Sequence, residues 1–201
     1  NSWRNSLRAM AQIIERAKLA DNGVLLEYEL PLSSLRLDCM VTGTSAAGEP
    51  KASIVELKQW ESCQVSEGDT ILTFTGGANR DVLHPSVQAG RYCQYLTDSH
   101  TAFHEGPAPV RLNACSYLHN YAYAANDALL DSKFSEWRRE YPIYSSDDSE
   151  ALITDLRTTL GGGSGMEVLA RIEQSKYRPS KKLLEHVGRM LNGNADYVLI
   201  D

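Results

Sequence analysis

The segment ASIVELKQW, residues 52–60, constrains the fold more than any other part of the chain. It is mostly apolar and suits a buried β-strand, yet Glu56 and Lys58 lie within it. Because side chains alternate along a strand, Glu56 and Lys58 project from the same face. A buried carboxylate and a buried ammonium are costly unless they pair or bind a metal ion. The segment therefore predicts a buried strand that carries a polar site.

The apolar periodicity around this strand predicts an α/β fold, with a central mixed β-sheet flanked by helices. Strands are predicted at 23–31, 34–43, 52–60, 69–76 and 110–121. Helices are predicted at 3–20, 84–100, 127–141, 150–160 and 166–174, with one more after Pro179 and a strand-like end at 196–201. The helix at 84–100 lies between two strands, which indicates a crossover connection within a mixed sheet.

The second half of the chain is mainly helical in pattern. We expect a core at 1–125 and a helical C-terminal extension at 126–201. Ser164 and Glu167 have the spacing of a capping box that would begin the helix at 166–174. The preceding Gly-rich stretch lacks the Lys of a phosphate-binding P-loop, so nucleotide binding is not expected there.

Composition excludes some functional classes. The formal net charge of −6 argues against a protein that coats nucleic acid, because phosphate affinity needs clustered Lys and Arg. A nuclease stays compatible with it, since bound metal ions invert the local charge. No apolar run is long enough to cross a membrane. The four cysteines form no CxxC pair, which is typical of reduced thiols in a cytoplasmic protein.

Asp38 is the natural partner of the polar site, because it lies in the preceding predicted strand between apolar residues. If the two strands pair as a hairpin, Asp38 lies beside Glu56, and the two carboxylates repel unless a cation separates them. Oxygen ligands with open water positions suit Mg²⁺ or Mn²⁺. Lys58 would orient or deprotonate a metal-bound water, and the expected reaction is hydrolysis of a phosphodiester.

These residues resemble the signature of PD-(D/E)XK nucleases of the RecB-like branch. Asp38 and the Glu-Leu-Lys at 56–58 match its central motif, and Glu27 is similar to its additional upstream acidic ligand. Gln88 and Tyr92 resemble its Q-x-x-x-Y helix and, one turn apart, share a helix face. The resemblance implies a restriction-endonuclease-like core in which Asp38, Glu56 and Glu27 bind the metal. It also implies that Gln88 supports catalysis and that Tyr92 holds the metal site or DNA.

A wider resemblance is to the N-terminal region of bacterial nuclease–helicase proteins with a Schlafen-type DNA/RNA helicase-like domain. It is carried by segments such as HPSVQAGRYCQYL at 84–96 and KYRPSKKLL at 176–184. It implies a helicase-like ATPase domain beyond Asp201, nucleic acid as substrate with DNA favoured, and a link to phage defence. The expected products carry a 5′-phosphate and a 3′-hydroxyl. We expect both ends of the chain to be cuts in a longer protein, which is a candidate homo-oligomer.

Several residues have two interpretations. Arg36 shares a strand face with Asp38 and would either contact phosphate or neutralise that carboxylate. Glu29 competes with Glu27 as the extra ligand, because the two lie on one strand face. His84 precedes a helix and would either cap it or touch phosphate. Two other functions also compete with the nuclease: a catalytically silent nucleic-acid-binding or docking module of a helicase, and a metal-free scaffold.

A pair of histidines offers a different metal site. His100 and His104 are four residues apart, which is the spacing of two zinc ligands on a helix. The sequence places no Cys or acidic partner to complete the site, so solvated side chains are the favoured interpretation.

Overall fold

The computed structural model describes residues 2–30, 35–180, 184–185 and 187–189. Its strands are β1 Val24–Glu29, β2 Arg36–Thr44, β3 Pro50–Lys58, β4 Cys63–Val65, β5 Thr70–Thr75, β6 Ala78–Leu83, β7 Arg111–Leu118 and β8 Ile143–Tyr144. Its α-helices are α1 Ser2–Arg16, α2 Pro85–Ser99, α3 Ser135–Glu140, α4 Ser149–Leu160 and α5 Met166–Gln174. The predicted strand at 196–201 lies outside the described residues, as does most of the predicted helix after Pro179.

The predicted α/β fold is confirmed. A mixed five-stranded sheet has the order β1-β2-β3-β7-β8. Strands β1, β2 and β3 pair antiparallel, whereas β3 pairs parallel with β7 and β7 parallel with β8. The crossover between β3 and β7 contains α2, as the strand–helix–strand order predicts. Strand β3 is therefore central, and six consecutive residues of it, 52–57, are buried.

Strand alternation assigns each face of the sheet its own helices. Met40 and Ile54 pack with α2 in one hydrophobic cluster. Val41 and Val55, one residue further along, pack with α1 and α4 on the opposite face. Strand β8 and helix α4 come from the predicted extension at 126–201, so the described part of that extension shares the core of the first half.

The predicted strand at 69–76 belongs to a second sheet. Strand β5 pairs antiparallel with β4 and with β6, and a Gly76-Gly77 turn joins β5 to β6. Both glycines have positive φ, +59° and +82°, which suits glycine in a tight hairpin. This small sheet packs beside α2 through Ile71 and Val87 in a third hydrophobic cluster.

The predicted helix at 127–141 is wrong over its first half. Two short 3-10 turns, Ala128–Leu130 and Ser132–Phe134, precede α3. The side chains of Asp127 and Asp131 accept hydrogen bonds from the backbone two residues on, at 2.9 Å in both cases. Such local side-chain bonds compete with helix formation.

The predicted capping box before α5 is also wrong. Gly165 occupies the N-cap position with φ +68°, and no side chain caps this helix. Backbone packing sets the conformation, because a Cβ on Gly165 would lie 2.4 Å from the backbone nitrogen of Gly43. The Gly-rich stretch is thus a close contact between the start of α5 and strand β2.

None of the described helices combines the length and the apolar character needed to span a membrane.

The contact at Gly165 gives a stability prediction. Gly165→Ala should lower the free energy of unfolding by more than Gly77→Ala, because it adds a backbone clash to the left-handed φ. Gly77 also has a left-handed φ but open space around it, so its substitution should cost only about 1–2 kcal/mol. Urea unfolding of both variants measures the difference. Equal losses would show that the contact with β2 is not tight.

Candidate active site

Three of the predicted site residues lie on the α2 face of the main sheet. The last residue pair of β2 and β3 is Cys39–Val55, so Asp38 and Glu56 are the next residues along the two strands, and their carboxyl groups lie close enough to interact. Lys58 shares their face, because it follows Glu56 by two residues. The hairpin pairing that the sequence analysis required is therefore present.

Asp38 lies just beyond the last regular residue pair between β2 and β3. The backbone N–H of Leu57 donates to Asp38 Oδ2 at 2.8 Å, so the carboxylate takes a donor of β3. On the other side of β2, the pairs Leu26–Cys39 and Tyr28–Leu37 flank a residue outside regular pairing, Glu27, whose φ is +50°. A left-handed glutamate is uncommon and marks a local distortion of β1 opposite Asp38.

Glu56 is the centre of a hydrogen-bond network that joins β3 to α2. Its Oε1 accepts from Lys58 Nζ and from Gln88 Nε2, both at 2.7 Å. Lys58 Nζ also donates to Gln88 Oε1 at 2.8 Å, which closes a ring of three side chains. The amide of Gln88 donates a second bond, 2.7 Å long, to the hydroxyl of Tyr92. The helical spacing of Gln88 and Tyr92 thus fixes the amide that holds Glu56.

The second carboxylate oxygen of Glu56, Oε2, lacks the hydrogen bonds that Oε1 accepts. Only 3 % of this residue is exposed, and Oε2 is buried without a hydrogen-bond donor among the described residues. Burial raises the pKa of Glu56 to about 7, and the nearby Asp38 carboxylate adds to the rise while Lys58 opposes it. Burial also raises the pKa of Asp38. Without a cation, the two carboxylates repel each other. A proton on Glu56 that forms a hydrogen bond to Asp38 removes this repulsion.

The network opens into a cleft of about 460 Å³. Asp38, Glu56, Lys58 and Gln88 all line it. The ammonium of Lys58 lies 5.3 Å from the centre of the Trp60 ring, which is a cation–π distance.

Two further predicted residues lie at the periphery. Arg36 forms an ion pair with Glu27 at 3.1 Å, and both side chains are substantially exposed. The structure therefore gives Glu27 a basic partner, and Glu27 is not among the residues that line the cleft. Arg36 lies close enough to Asp38 to favour its ionised form, which agrees with the neutralising role considered above.

Of the two roles predicted for His84, the structure shows the helix cap, and the predicted contact with phosphate is wrong. His84 is fully buried and stacks on Phe134 with ring centres 3.8 Å apart. Its Nδ1 accepts from Ser86 N, which caps α2, and its Nε2 donates to Leu129 O. Burial lowers its pKa to about 4, so it is neutral at physiological pH. A phosphate cannot reach this ring.

Residues outside the predicted site form the walls of the cleft. Trp3 and Ser6 of α1 line one part of it, and Thr75 and Val82 of the β5–β6 hairpin line another. Ser6 is also within hydrogen-bond distance, 3.0 Å, of His119 Nε2. No motif distinguishes these residues, because their position depends on how α1 and the hairpin pack.

The cleft offers two carboxylates, Asp38 and Glu56, as ligands for a metal ion. Within the described ranges, no group of three or more His, Cys, Asp or Glu side chains is placed to hold one, and His100 and His104 form no such site. Two carboxylates nevertheless fit Mg²⁺, which commonly keeps several waters and takes one or two protein carboxylates. The buried Oε2 of Glu56 is the specific feature that favours a cation, since it has no other donor among the described residues.

Comparisons of the chain with protein-family models, with curated proteins and with solved structures found no match.

The raised pKa of Glu56 predicts how stability depends on pH without metal. The folded state keeps the proton to about pH 7, whereas the unfolded carboxyl loses it near 4.5. Wild-type stability should therefore fall as pH rises from about 4.5 to about 7. Glu56→Gln lacks this loss, so its stability relative to wild type should increase across that window.

Denaturant unfolding across this pH range in EDTA measures the effect. The matched Glu49→Gln change, at an exposed carboxylate, controls for the substitution itself. A constant difference between Glu56→Gln and wild type at every pH would contradict the buried, proton-sharing state of Glu56.

Proposed function

We propose that this chain is a metal-dependent nuclease domain of the PD-(D/E)XK type, which hydrolyses phosphodiester bonds of nucleic acid, with DNA favoured. The observation that carries the proposal is the convergence of Asp38, Glu56 and Lys58 in one cleft, with one buried oxygen of Glu56 lacking a donor. An ordinary strand salt bridge would need neither Asp38 nor Gln88 beside it.

Asp38 and Glu56 would hold Mg²⁺ or Mn²⁺. When bound, such an ion supplies polarisation of a phosphoryl oxygen and a water of lowered pKa. Electrostatic attraction by the ion favours the ionised form of Glu56, so binding should release the proton that this residue keeps near neutral pH.

Lys58 has the position of a group that orients the attacking water. Two of its three N–H bonds go to Glu56 and Gln88, which fixes the ammonium at the wall of the cleft. Gln88 in turn is held by Tyr92, so both residues of α2 act by positioning Lys58 and Glu56. This is a preorganised arrangement, in which the side chains are ordered before substrate binds.

The wider context of the proposal comes from the resemblance to nuclease–helicase proteins. That resemblance implies a domain that precedes a helicase-like ATPase domain, acts in the cytoplasm and has a link to phage defence. The catalytically silent module is the rival, and the pairing of Glu27 with Arg36 favours it, because the additional acidic ligand is then engaged elsewhere.

Cleavage of labelled DNA separates the nuclease from the silent module. Wild type should cut with Mg²⁺ or Mn²⁺, and Lys58→Ala should lower the rate by roughly 100-fold or more, because it removes a group that acts on the water. Lys51→Ala is the matched control, since Lys51 lies on the same strand about 23 Å from Lys58. Inertness of wild type on all DNA and RNA substrates would support the silent module.

Calorimetric titration with Mn²⁺ tests the ligands and addresses the metal-free scaffold. Wild type should bind Mn²⁺ more weakly as pH falls below about 7, because the ion competes with the proton on Glu56. Asp38→Asn should lose most of the binding. Binding that survives both Asp38→Asn and Glu56→Gln would place the ion elsewhere and contradict the proposed site.

A further inference from the structure

The cleft presents a charge problem for a nucleic-acid substrate. Asp38 and Glu56 repel phosphate, and two of the nearby basic side chains are engaged: Lys58 bonds to Glu56 and Arg36 pairs with Glu27. A bound divalent ion would compensate the carboxylates but would not hold the phosphates on either side of the scissile bond. A further cation at the edge of the cleft is therefore needed to anchor the strand.

Arg80 of strand β6 meets this need. It pairs with Thr73 of β5, so it lies on the same hairpin face as Val82, two residues away. Val82 and Thr75 on that face line the cleft. Arg80 is exposed and, within the described part of the chain, forms no ion pair and no side-chain hydrogen bond.

The guanidinium of Arg80 lies next to the turn of the hairpin. Its central carbon is 3.5 Å from the position that a Cβ on Gly76 would occupy. A glycine at this position therefore leaves room for the guanidinium to lie against the turn. A guanidinium whose donors are all available suits bidentate binding of phosphate.

We propose that Arg80 binds a backbone phosphate of a nucleic-acid strand that lies in the cleft between α1 and the β5–β6 hairpin. This inference rests on the proposed nuclease function and adds the residue that anchors its substrate. Arg80 acts on affinity and not on the chemical step, because it lies beside the cleft-lining Val82 on the hairpin and is not among the side chains bonded to Glu56.

Fluorescence anisotropy of a labelled DNA oligonucleotide, with Ca²⁺ in place of Mg²⁺ and over a series of potassium chloride concentrations, tests the inference. Arg80→Ala should weaken binding roughly tenfold at low salt, because it removes a charge-assisted hydrogen bond. It should also reduce the slope of log K against log salt by about 0.7–0.9, the value for one lost phosphate contact. Arg80→Lys should keep most of the slope but lose affinity.

Arg111→Ala is the control for loss of one positive charge. Arg111 is exposed at the opposite end of β7, about 23 Å along the strand from the residue that pairs with Lys58. This variant should keep the slope and the affinity of wild type. Thermal melting checks that each variant is folded, which is expected because both arginines are exposed.

The proposal that Arg80 binds phosphate and the proposal that the domain is a nuclease can fail independently. If Arg80→Ala binds DNA with the affinity and slope of wild type, or if wild type binds no DNA, the role of Arg80 is overturned. If wild type binds DNA through Arg80 but never cleaves it with Mg²⁺ or Mn²⁺, the nuclease proposal fails and the binding role of Arg80 stands. If both stand, Arg80→Ala should raise KM and leave kcat close to wild type.

Discussion

Glu56 is a carboxylate held almost entirely out of water, and its two oxygens have different surroundings. Oε1 is bonded to Lys58 and Gln88, whereas Oε2 faces no donor in the described structure. Leaving a buried carboxylate oxygen unpaired costs free energy unless a proton or a cation occupies it. The rest of the site follows from this constraint: Asp38 opposite, Lys58 beside it, and an α2 helix that supplies Gln88 and Tyr92 to fix the orientation.

The arrangement has a consequence for stability. A protein selected only for stability would have an apolar residue at position 56, because it would pack between the sheet and α2 without a desolvation penalty. The raised pKa of Glu56 is the physical sign of that penalty. Carboxyl groups with perturbed pKa values in a cleft are typical of functional sites. The raised pKa of Glu56 therefore supports a functional role for this residue and not a role in core packing.

The sequence predicted the central part of the structure because its signals are local. Strand alternation on β3 put Glu56 and Lys58 on one face, and helical spacing put Gln88 and Tyr92 on one face of α2. The failures have equally local causes. Asp127 and Asp131 bind the backbone and break a helix whose apolar spacing looked continuous, and Gly165 takes the N-cap position that a Ser-x-x-Glu pattern suggested.

Other features depend on tertiary packing and could not be predicted from one sequence. His84 caps α2 and is inaccessible to phosphate because it is buried. Glu27 forms an ion pair with Arg36, which depends on how the two side chains are placed in the folded sheet. The position of Arg80 beside the cleft depends on a second sheet, and two strands of that sheet, β4 and β6, were not predicted from the sequence. Sequence periodicity does not predict where that sheet lies relative to Asp38, because its position depends on packing against α2.

The central claim is that Asp38 and Glu56 together hold one divalent cation. A crystal of the protein soaked in Mn²⁺ near pH 8, with anomalous diffraction recorded, tests it most directly. We predict a single strong anomalous peak at ligand distance from Asp38 and from Oε2 of Glu56, which is absent from an Asp38→Asn crystal treated in the same way. An empty cleft at saturating Mn²⁺, or a peak bound to other residues, would contradict the account.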